Sequence, residues 1–129
     1  MTVENLQHAM KIRREVLGDE YVDKALASTT EFSKPYQELA TEFCWGTVWG
    51  RKELDRKSRS LITLGILTAT GQSKELQNHV RGAINNGCTP EEIREVFIHA
   101  MVYCGLPAGG IALRAATEVL DQIAGPTSR

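Results

Sequence analysis

The chain has 129 residues, of which 42% are hydrophobic and 24% charged, and its formal net charge is −1. A chain of this length and composition predicts one globular domain, residues 1–129, and excludes a disordered or coiled-coil protein. The near-neutral charge gives no general attraction to nucleic acid or to an anionic membrane, so neither is expected as a partner. No run approaches the roughly 20 apolar residues of a membrane span.

The three cysteines favour a protein of the reducing cytoplasm. Cys44, Cys88 and Cys104 are odd in number and form no CxxC, so they fit neither a disulfide framework nor a metal site. Free thiols are typical of cytoplasmic proteins. The N-terminal segment lacks the apolar core of a signal peptide, and we therefore expect no secretion.

Helical signals follow one another through the first half of the chain. Residues 4–17 predict an amphipathic helix that ends at Gly18, and a second, short helix follows it. Ser33 and Pro35 then predict the cap and the first turn of a third helix. That helix leads into the segment 42–51, where glycines leave the position of its end open.

Two helices in the centre of the chain, residues 54–71 and 72–87, are predicted to pair. The first is apolar over most of its circumference in its second half, so we expect it to be buried on several sides. The second is amphipathic, and its apolar stripe consists of Leu76, Val80, Ala83 and Ile84. Apolar groups on more than one face of these helices favour a homo-oligomer.

The last third of the chain predicts two more helices. Thr89 and Glu92 have the spacing of a capping box, with a proline between them at the first helical position. Pro107 opens a final helix that we expect to end at Gly125, followed by a frayed tail. Since no segment alternates like a half-buried strand, the fold class is all-α, a compact bundle of about six or seven helices.

His79 is the leading candidate for chemistry, because it lies inside the apolar stripe of the second central helix. Its near-neutral pKa makes histidine the usual proton shuttle. Glu75, one turn earlier, is close enough to orient the imidazole or to raise its pKa. Spacing alone is equally compatible with a structural histidine at a contact between helices.

The segment Glu42–Arg51 holds both tryptophans of the chain. Trp45 and Trp49 are one helical turn apart and can form one wall of a pocket, although core or subunit contacts are a common role of aromatic residues. Gly46 and Gly50 are hard to justify as core filling, because glycine weakens a helix interior by about 1 kcal/mol. They suit a place where the backbone approaches something closely.

Two arginines are predicted to bind carboxylates, since a guanidinium matches a carboxylate with two hydrogen bonds. Arg51 ends the aromatic segment, and Arg81 is close to His79 in sequence but points about 200° away from it on a helix. Glu42 and Tyr103 are weaker pocket candidates. No phosphate-binding loop, dinucleotide fingerprint, zinc-protease or serine-hydrolase motif is present. A cofactor-free enzyme without a metal, or a binding module, is left.

These residues belong to segments that resemble the carboxymuconolactone decarboxylase family, which has the alkylhydroperoxidase D-like helical fold. The matching segments lie within residues 12–120 and read RREVLGDEYVDKAL, ELATEFCWGTVWGR, LDRKSRSL, NHVRGAINNGCTPEEIREV and VYCGLPAG. Peroxidase-type members of the wider family carry a glutamate on the first central helix, and a CxxC followed by a histidine on the second. His79 matches that histidine, whereas Gln72 and Glu75 occupy the cysteine positions and Ser60 the glutamate position. Because thiol redox chemistry needs a thiolate pair, the departure favours the decarboxylase branch.

The resemblance implies decarboxylation of 4-carboxymuconolactone to the 3-oxoadipate enol-lactone, in the protocatechuate branch of the β-ketoadipate pathway, by a trimer or a hexamer. The substrate serves as its own electron sink, so no cofactor is implied. His79 would return a proton to carbon, with Glu75 or Gln72 as orienting partners. The arginines would hold the retained carboxylate, and the tryptophans would exclude water. Two alternatives stay open at this point: a thiol-dependent peroxidase or reductase of the same fold, and a non-catalytic helical module that binds a small acid.

Overall fold

The computed structural model describes residues 2–125, and every regular element among them is helical. The seven α-helices are α1 (Val3–Leu17), α2 (Asp19–Ala27), α3 (Lys34–Ala40), α4 (Arg56–Ala69), α5 (Ser73–Asn85), α6 (Pro90–Cys104) and α7 (Leu106–Ala124). A π-helical segment, Thr41–Val48, continues α3 directly. The all-α prediction is confirmed for the described residues, whereas the tail predicted to fray lies outside them. The chain divides into two compact units, a first unit of residues 1–56 and a second unit of residues 57–129.

The first unit is built on the contact between α1 and the π-helical segment. Its core consists of Ala9, Ile12, Val16, Leu17, Val22, Trp45 and Trp49. Each hydrogen bond of a π-helix spans one residue more than in an α-helix, and the segment ends with such a bond, from the Trp49 N–H to the Cys44 carbonyl at 2.9 Å. Gly46 allows α1 to come close, because a Cβ at this position would lie 3.0 Å from the Cβ of Ala9. The close approach predicted for the glycine is therefore made to a neighbouring helix.

The ends of α1 and α3 show one correct and one wrong prediction. Gly18 ends α1 with φ 91°, and its N–H donates to the Arg14 carbonyl at 2.9 Å. Ser33 does not cap α3, because its backbone is already in the helical region and its side chain makes no capping bond. Its Oγ instead accepts the Thr30 N–H at 2.9 Å. The hydroxyl thus stabilises the preceding turn.

In the second unit α7 packs against both α5 and α6. The buried core consists of Leu64, Leu76, Val80, Ala83, Cys88, Ile93, Phe97, Ala112, Ala115, Ala116 and Val119. The predicted capping box of α6 is confirmed, with Thr89 Oγ1 accepting the Glu92 N–H at 3.1 Å and Glu92 Oε1 accepting the Thr89 N–H at 2.9 Å. Glu92 also pairs with Lys57 at 2.8 Å, which joins the starts of α4 and α6.

Helix α4 is buried along one stripe of its surface. Ser60, Leu64 and Thr68 recur at intervals of four residues and are buried, whereas Ile62 is 52% and Ile66 57% exposed. The prediction of burial on several sides is wrong for the isolated chain. None of the helices within residues 2–125 combines the length and the apolar character needed to cross a membrane.

Candidate functional site

His79 lies on α5 between the buried residues Leu76 and Val80 and is itself half-buried, with Nδ1 enclosed. Burial lowers its pKa from 6.5 to about 4, because the charged imidazolium loses hydration. The imidazole is therefore neutral at pH 7. The expectation that Glu75 raises this pKa is wrong: Glu75 is exposed, and desolvation decides the direction.

The helix that carries His79 is fixed to α7 by its polar side chains. Gln77 Nε2 donates to the Ala115 carbonyl at 3.1 Å and to Glu118 Oε2 at 2.7 Å. One turn later, Arg81 donates to the Gln122 side chain. These bonds and the buried apolar stripe fix α5 against α7 at Gln77 and Arg81, the residues two positions before and after His79.

Two positions that distinguish this chain from peroxidase-type members have structural roles in the second unit. Ser60 is fully buried, and its Oγ accepts a hydrogen bond from Asn86 Nδ2 at 2.9 Å. Gln72 is exposed in the turn before α5, where its amide donates to the Thr70 carbonyl at 3.4 Å. The serine thus links α4 to the turn that follows α5.

The tryptophans form one stacked pair in the first unit. The ring centroids of Trp45 and Trp49 are 5.1 Å apart with an interplanar angle of 30°, and both side chains are buried in the core. The two rings lie side by side, as their spacing predicted. The pair packs with α1, which is the core role that the sequence left open beside the pocket role.

Glu42 lines a polar cavity of about 220 Å³ in the first unit, together with Asn5, His8, Gly46 and Thr47. Its Oε2 is buried without a hydrogen-bond partner among the described residues. A carboxylate oxygen in this state is an open acceptor. Glu42 is therefore available to a ligand that donates a hydrogen bond.

The other predicted binding residues differ in exposure. Arg51 is exposed and lies 3.9 Å from Glu53, and Arg81 is half-buried against α7. Tyr103 is exposed, lies 5.2 Å from His99 between ring centroids, and lines an apolar groove of about 640 Å³ between α4 and α6. Arg51, Trp45, Trp49 and Glu42 belong to the first unit, and Glu75, His79, Arg81 and Tyr103 to the second.

The cysteines differ in their surroundings. Cys44 is half-buried, and burial raises the pKa of its thiol. Cys88 is buried, with Sγ 3.6 Å from the Lys57 carbonyl, and Cys104 is exposed at the end of α6. Residues 2–125 hold no cluster of three or more histidine, cysteine, aspartate or glutamate side chains that could bind a metal.

Arg13 is the residue that the sequence reasoning missed. It is 7% exposed and lies in the core of the first unit. The signal was present in the spacing, because Arg13 follows Ala9 and precedes Leu17 by four residues, which places it on the buried face of α1. A charged side chain at such a position is uncommon and calls for a partner.

Comparison with known proteins gives related sequences. Residues 34–118 match the model of the carboxymuconolactone decarboxylase family. Nitrosuccinic acid decarboxylase npaB of Metarhizium robertsii is 57% identical over 99 residues, covering 77% of this chain and 69% of its own length. The 4-carboxymuconolactone decarboxylase of Acinetobacter baylyi is 38% identical over 117 residues, covering 91% of this chain and 87% of its own. An uncharacterized 15.0 kDa protein of Paracoccus denitrificans is 38% identical over 80 residues, which is 60% of each chain.

Proposed function

Since this chain belongs to the carboxymuconolactone decarboxylase family, we propose that it removes CO₂ from a small dicarboxylic acid without a cofactor. The observation that carries the proposal is that two relatives named as decarboxylases align over 77% and 91% of the chain. Their two substrates differ, but each has one carbon that bears three groups of the same kind. These are the leaving carboxylate, a –CH₂–COO⁻ group (the acetate arm) and an electron-withdrawing group. We propose this shared arrangement as the substrate class.

The chemistry of the class needs little from the protein. When the bond to the carboxylate carbon breaks, CO₂ leaves and the electron pair stays on the substrate. In 4-carboxymuconolactone the pair moves through the adjacent C=C onto the lactone carbonyl, and in nitrosuccinic acid it moves onto the nitro group. One proton then adds to carbon, giving the 3-oxoadipate enol-lactone or 3-nitropropanoate. The protein must orient two carboxylates, stabilise the anion and supply this proton.

We assign the proton transfer to His79, with Glu75 as its orienting residue. The lowered pKa of His79 supports a group that is neutral in the empty site and gains a proton when an anionic substrate lies beside it, because a nearby negative charge raises the pKa of an imidazole. The tryptophans, Glu42 and Tyr103 stay proposed substrate-binding residues, and Arg51 and Arg81 stay proposed carboxylate ligands.

The substrate is tested by direct assay of both acids. Purified protein is incubated with 4-carboxymuconolactone, made in situ, and separately with nitrosuccinic acid, and CO₂ and product are followed. We expect turnover of at least one acid, and the 57% identity favours the nitro acid as the better substrate. In D₂O the product should carry deuterium at the carbon that receives the proton. Rates at the uncatalysed background for both acids would refute the proposal.

The thiol-dependent alternative is separated from this one by alkylation. Iodoacetamide reaches the exposed Cys104 first, and complete modification of accessible thiols should leave decarboxylation unchanged. A peroxidase or reductase would lose its activity under the same treatment. Binding of either acid without CO₂ release would instead favour the non-catalytic module.

We also propose that the protein works as a homo-oligomer, a trimer or a hexamer. Apolar side chains on the second unit are exposed in the isolated chain, namely Ile62, Ile66, Ile98, Val102, Tyr103 and Leu106. Two of them, Ile62 and Tyr103, line the groove between α4 and α6. Apolar surface of this kind is typical of an interface between subunits.

A further inference from the structure

Arg13 carries a positive charge inside the core of the first unit. Its Nη1 donates to Thr41 Oγ1 at 3.2 Å and to Gln37 Oε1 at 3.4 Å. Its Nε is a buried donor without an acceptor among the described residues. Within the described residues its hydrogen-bond partners are therefore neutral, and Nε has none.

Residues 2–125 provide no ion-pair partner for the Arg13 guanidinium. A guanidinium stays protonated at any pH a protein experiences, and a buried charge is costly unless an opposite charge accompanies it. The adjacent Arg14 has two carboxylates, Asp19 at 3.0 Å and Asp23 at 2.8 Å. In the described part of the first unit, no carboxylate forms an ion pair with Arg13.

A cavity of about 270 Å³ in the same unit is lined by both partners of Arg13, Gln37 and Thr41. Lys34 and Glu38 line it as well, and their charged groups lie 3.8 Å apart. Much of the remaining wall is apolar, from Leu6, Met10 and Leu26. The Gln37 bond of 3.4 Å is longer than a normal N–H···O bond, so the amide is a weak partner of the guanidinium.

We propose that Arg13 is a further carboxylate-binding residue of this enzyme and that the acetate arm of the substrate reaches it through this cavity. The identity of the ligand rests on the proposed function. A carboxylate supplies two acceptors, which match Nε and one Nη of the guanidinium side by side. It would neutralise the buried charge and satisfy the unused donor in one step. Arg13 thus holds the part of the substrate that does not react.

The test uses succinate, a dicarboxylate that has the acetate arm but no electron sink and therefore does not react. Arg13→Met removes the charge and keeps the length of the side chain, whereas Arg13→Lys keeps the charge without the planar fork. Arg14→Met is the control at the adjacent position, where the guanidinium is half-buried and paired with Asp19 and Asp23. Succinate binding is measured by calorimetry and by the shift in melting temperature of the full-length protein.

We expect Arg13→Met to weaken succinate binding at least about tenfold, with a smaller loss in Arg13→Lys and none in Arg14→Met. The melting temperature of unliganded Arg13→Met should equal or exceed that of the wild type, because replacing an uncompensated buried charge by an apolar group relieves its desolvation. A purely structural arginine predicts the opposite: a lower melting temperature with unchanged succinate affinity. Should Arg13→Met misfold, Arg13→Lys carries the same comparison.

The outcomes separate this inference from the proposed function. Unchanged kcat/KM in Arg13→Met would overturn the role of Arg13 and leave the decarboxylase standing. Succinate binding that depends on Arg13, in a protein that decarboxylates neither acid, would keep the carboxylate site and refute the enzyme. No succinate binding by the wild type would overturn the site itself.

Discussion

Among single residues, His79 owes its acid–base properties to burial. Its position inside an apolar stripe was readable from the sequence, and the structure places it half-buried on a helix that is fixed to α7. The depressed pKa of about 4 makes it neutral in the empty protein. Proton delivery then requires that the substrate supply the charge that stabilises the imidazolium.

His79→Ala should lower kcat/KM by about 100-fold or more, because positioned acid–base groups contribute roughly 10²–10⁴-fold. The rate is measured with whichever acid the wild type turns over, and far-ultraviolet circular dichroism checks the fold. Lys74→Ala, on an exposed position of the same helix, is the matched control and should retain full activity. A loss within about threefold, under ~0.7 kcal/mol, would remove His79 from the mechanism.

Stability should fall as the pH falls from 6.5 towards 4, because of the same residue. In this window the unfolded chain binds a proton at His79 and the folded chain does not, since burial lowers the folded pKa to about 4. The linked change in the free energy of unfolding is about 3 kcal/mol at most. Urea unfolding at pH 7 and pH 4.5 measures it. His79→Gln should lose this part of the pH dependence, whereas His99→Gln, at an exposed position, should keep it.

At the level of secondary structure, the glycines of the two units differ in what they do. Gly46 lies at the contact between α1 and the π-helical segment. A Cβ added at this position would lie 3.0 Å from the Cβ of Ala9. Gly65 lies inside α4, and a Cβ there would meet Val96 Cγ1 at an ordinary 3.9 Å. Packing requires the glycine at position 46. At position 65 a larger residue fits, so alanine is expected to stabilise the helix.

Gly46→Ala should therefore destabilise the protein by about 1–3 kcal/mol, the usual effect of overpacking. Gly65→Ala should stabilise it by about 0.5–1 kcal/mol, because alanine loses less backbone entropy in a helix. Thermal and urea unfolding of the two variants give opposite signs if the packing is as described. A Gly46→Ala variant as stable as the wild type would contradict the close contact with α1.

Features encoded over a few neighbouring residues were predictable. The capping box of α6 and the end of α1 at Gly18 depend only on hydrogen bonds within one turn, and both are confirmed. The π-helical segment was missed, because its wider turns depend on the contact with α1 and not on its own residues. Arg13 lies at the helical spacing of the α1 stripe, but its role was missed because its partners Gln37 and Thr41 are distant in sequence. The cap predicted at Ser33 failed because the Ser33 hydroxyl accepts a hydrogen bond from Thr30 in the preceding turn and makes none to α3.

For the whole molecule, the exposed apolar residues of α4 and α6 are the reason to expect a homo-oligomer. Light scattering coupled to size exclusion should give a mass three or six times that of the 14.3 kDa chain. Ile66→Glu should reduce this mass, because a charge in a buried interface is desolvated without a partner. Phe32→Glu, an exposed apolar position in the first unit, is the matched control. A monomeric wild type would refute the assembly.

Gly18 and Gly105 form sharp corners in which a single residue connects two helices, so no extended loop is present at either position. They share nearly one backbone shape, with φ 91° and ψ 151° at the first and φ 98° and ψ 157° at the second, a region that only glycine occupies readily. In each corner a single residue ends one helix and begins the next. A protease binds its substrate as an extended segment of several residues. Arg51 and Lys52 are exposed and lie outside the helices, so the chain around them can adopt this conformation. Trypsin should therefore nick the native protein first at Arg51 or Lys52, while the bond after Arg14, one turn before a corner, outlasts it.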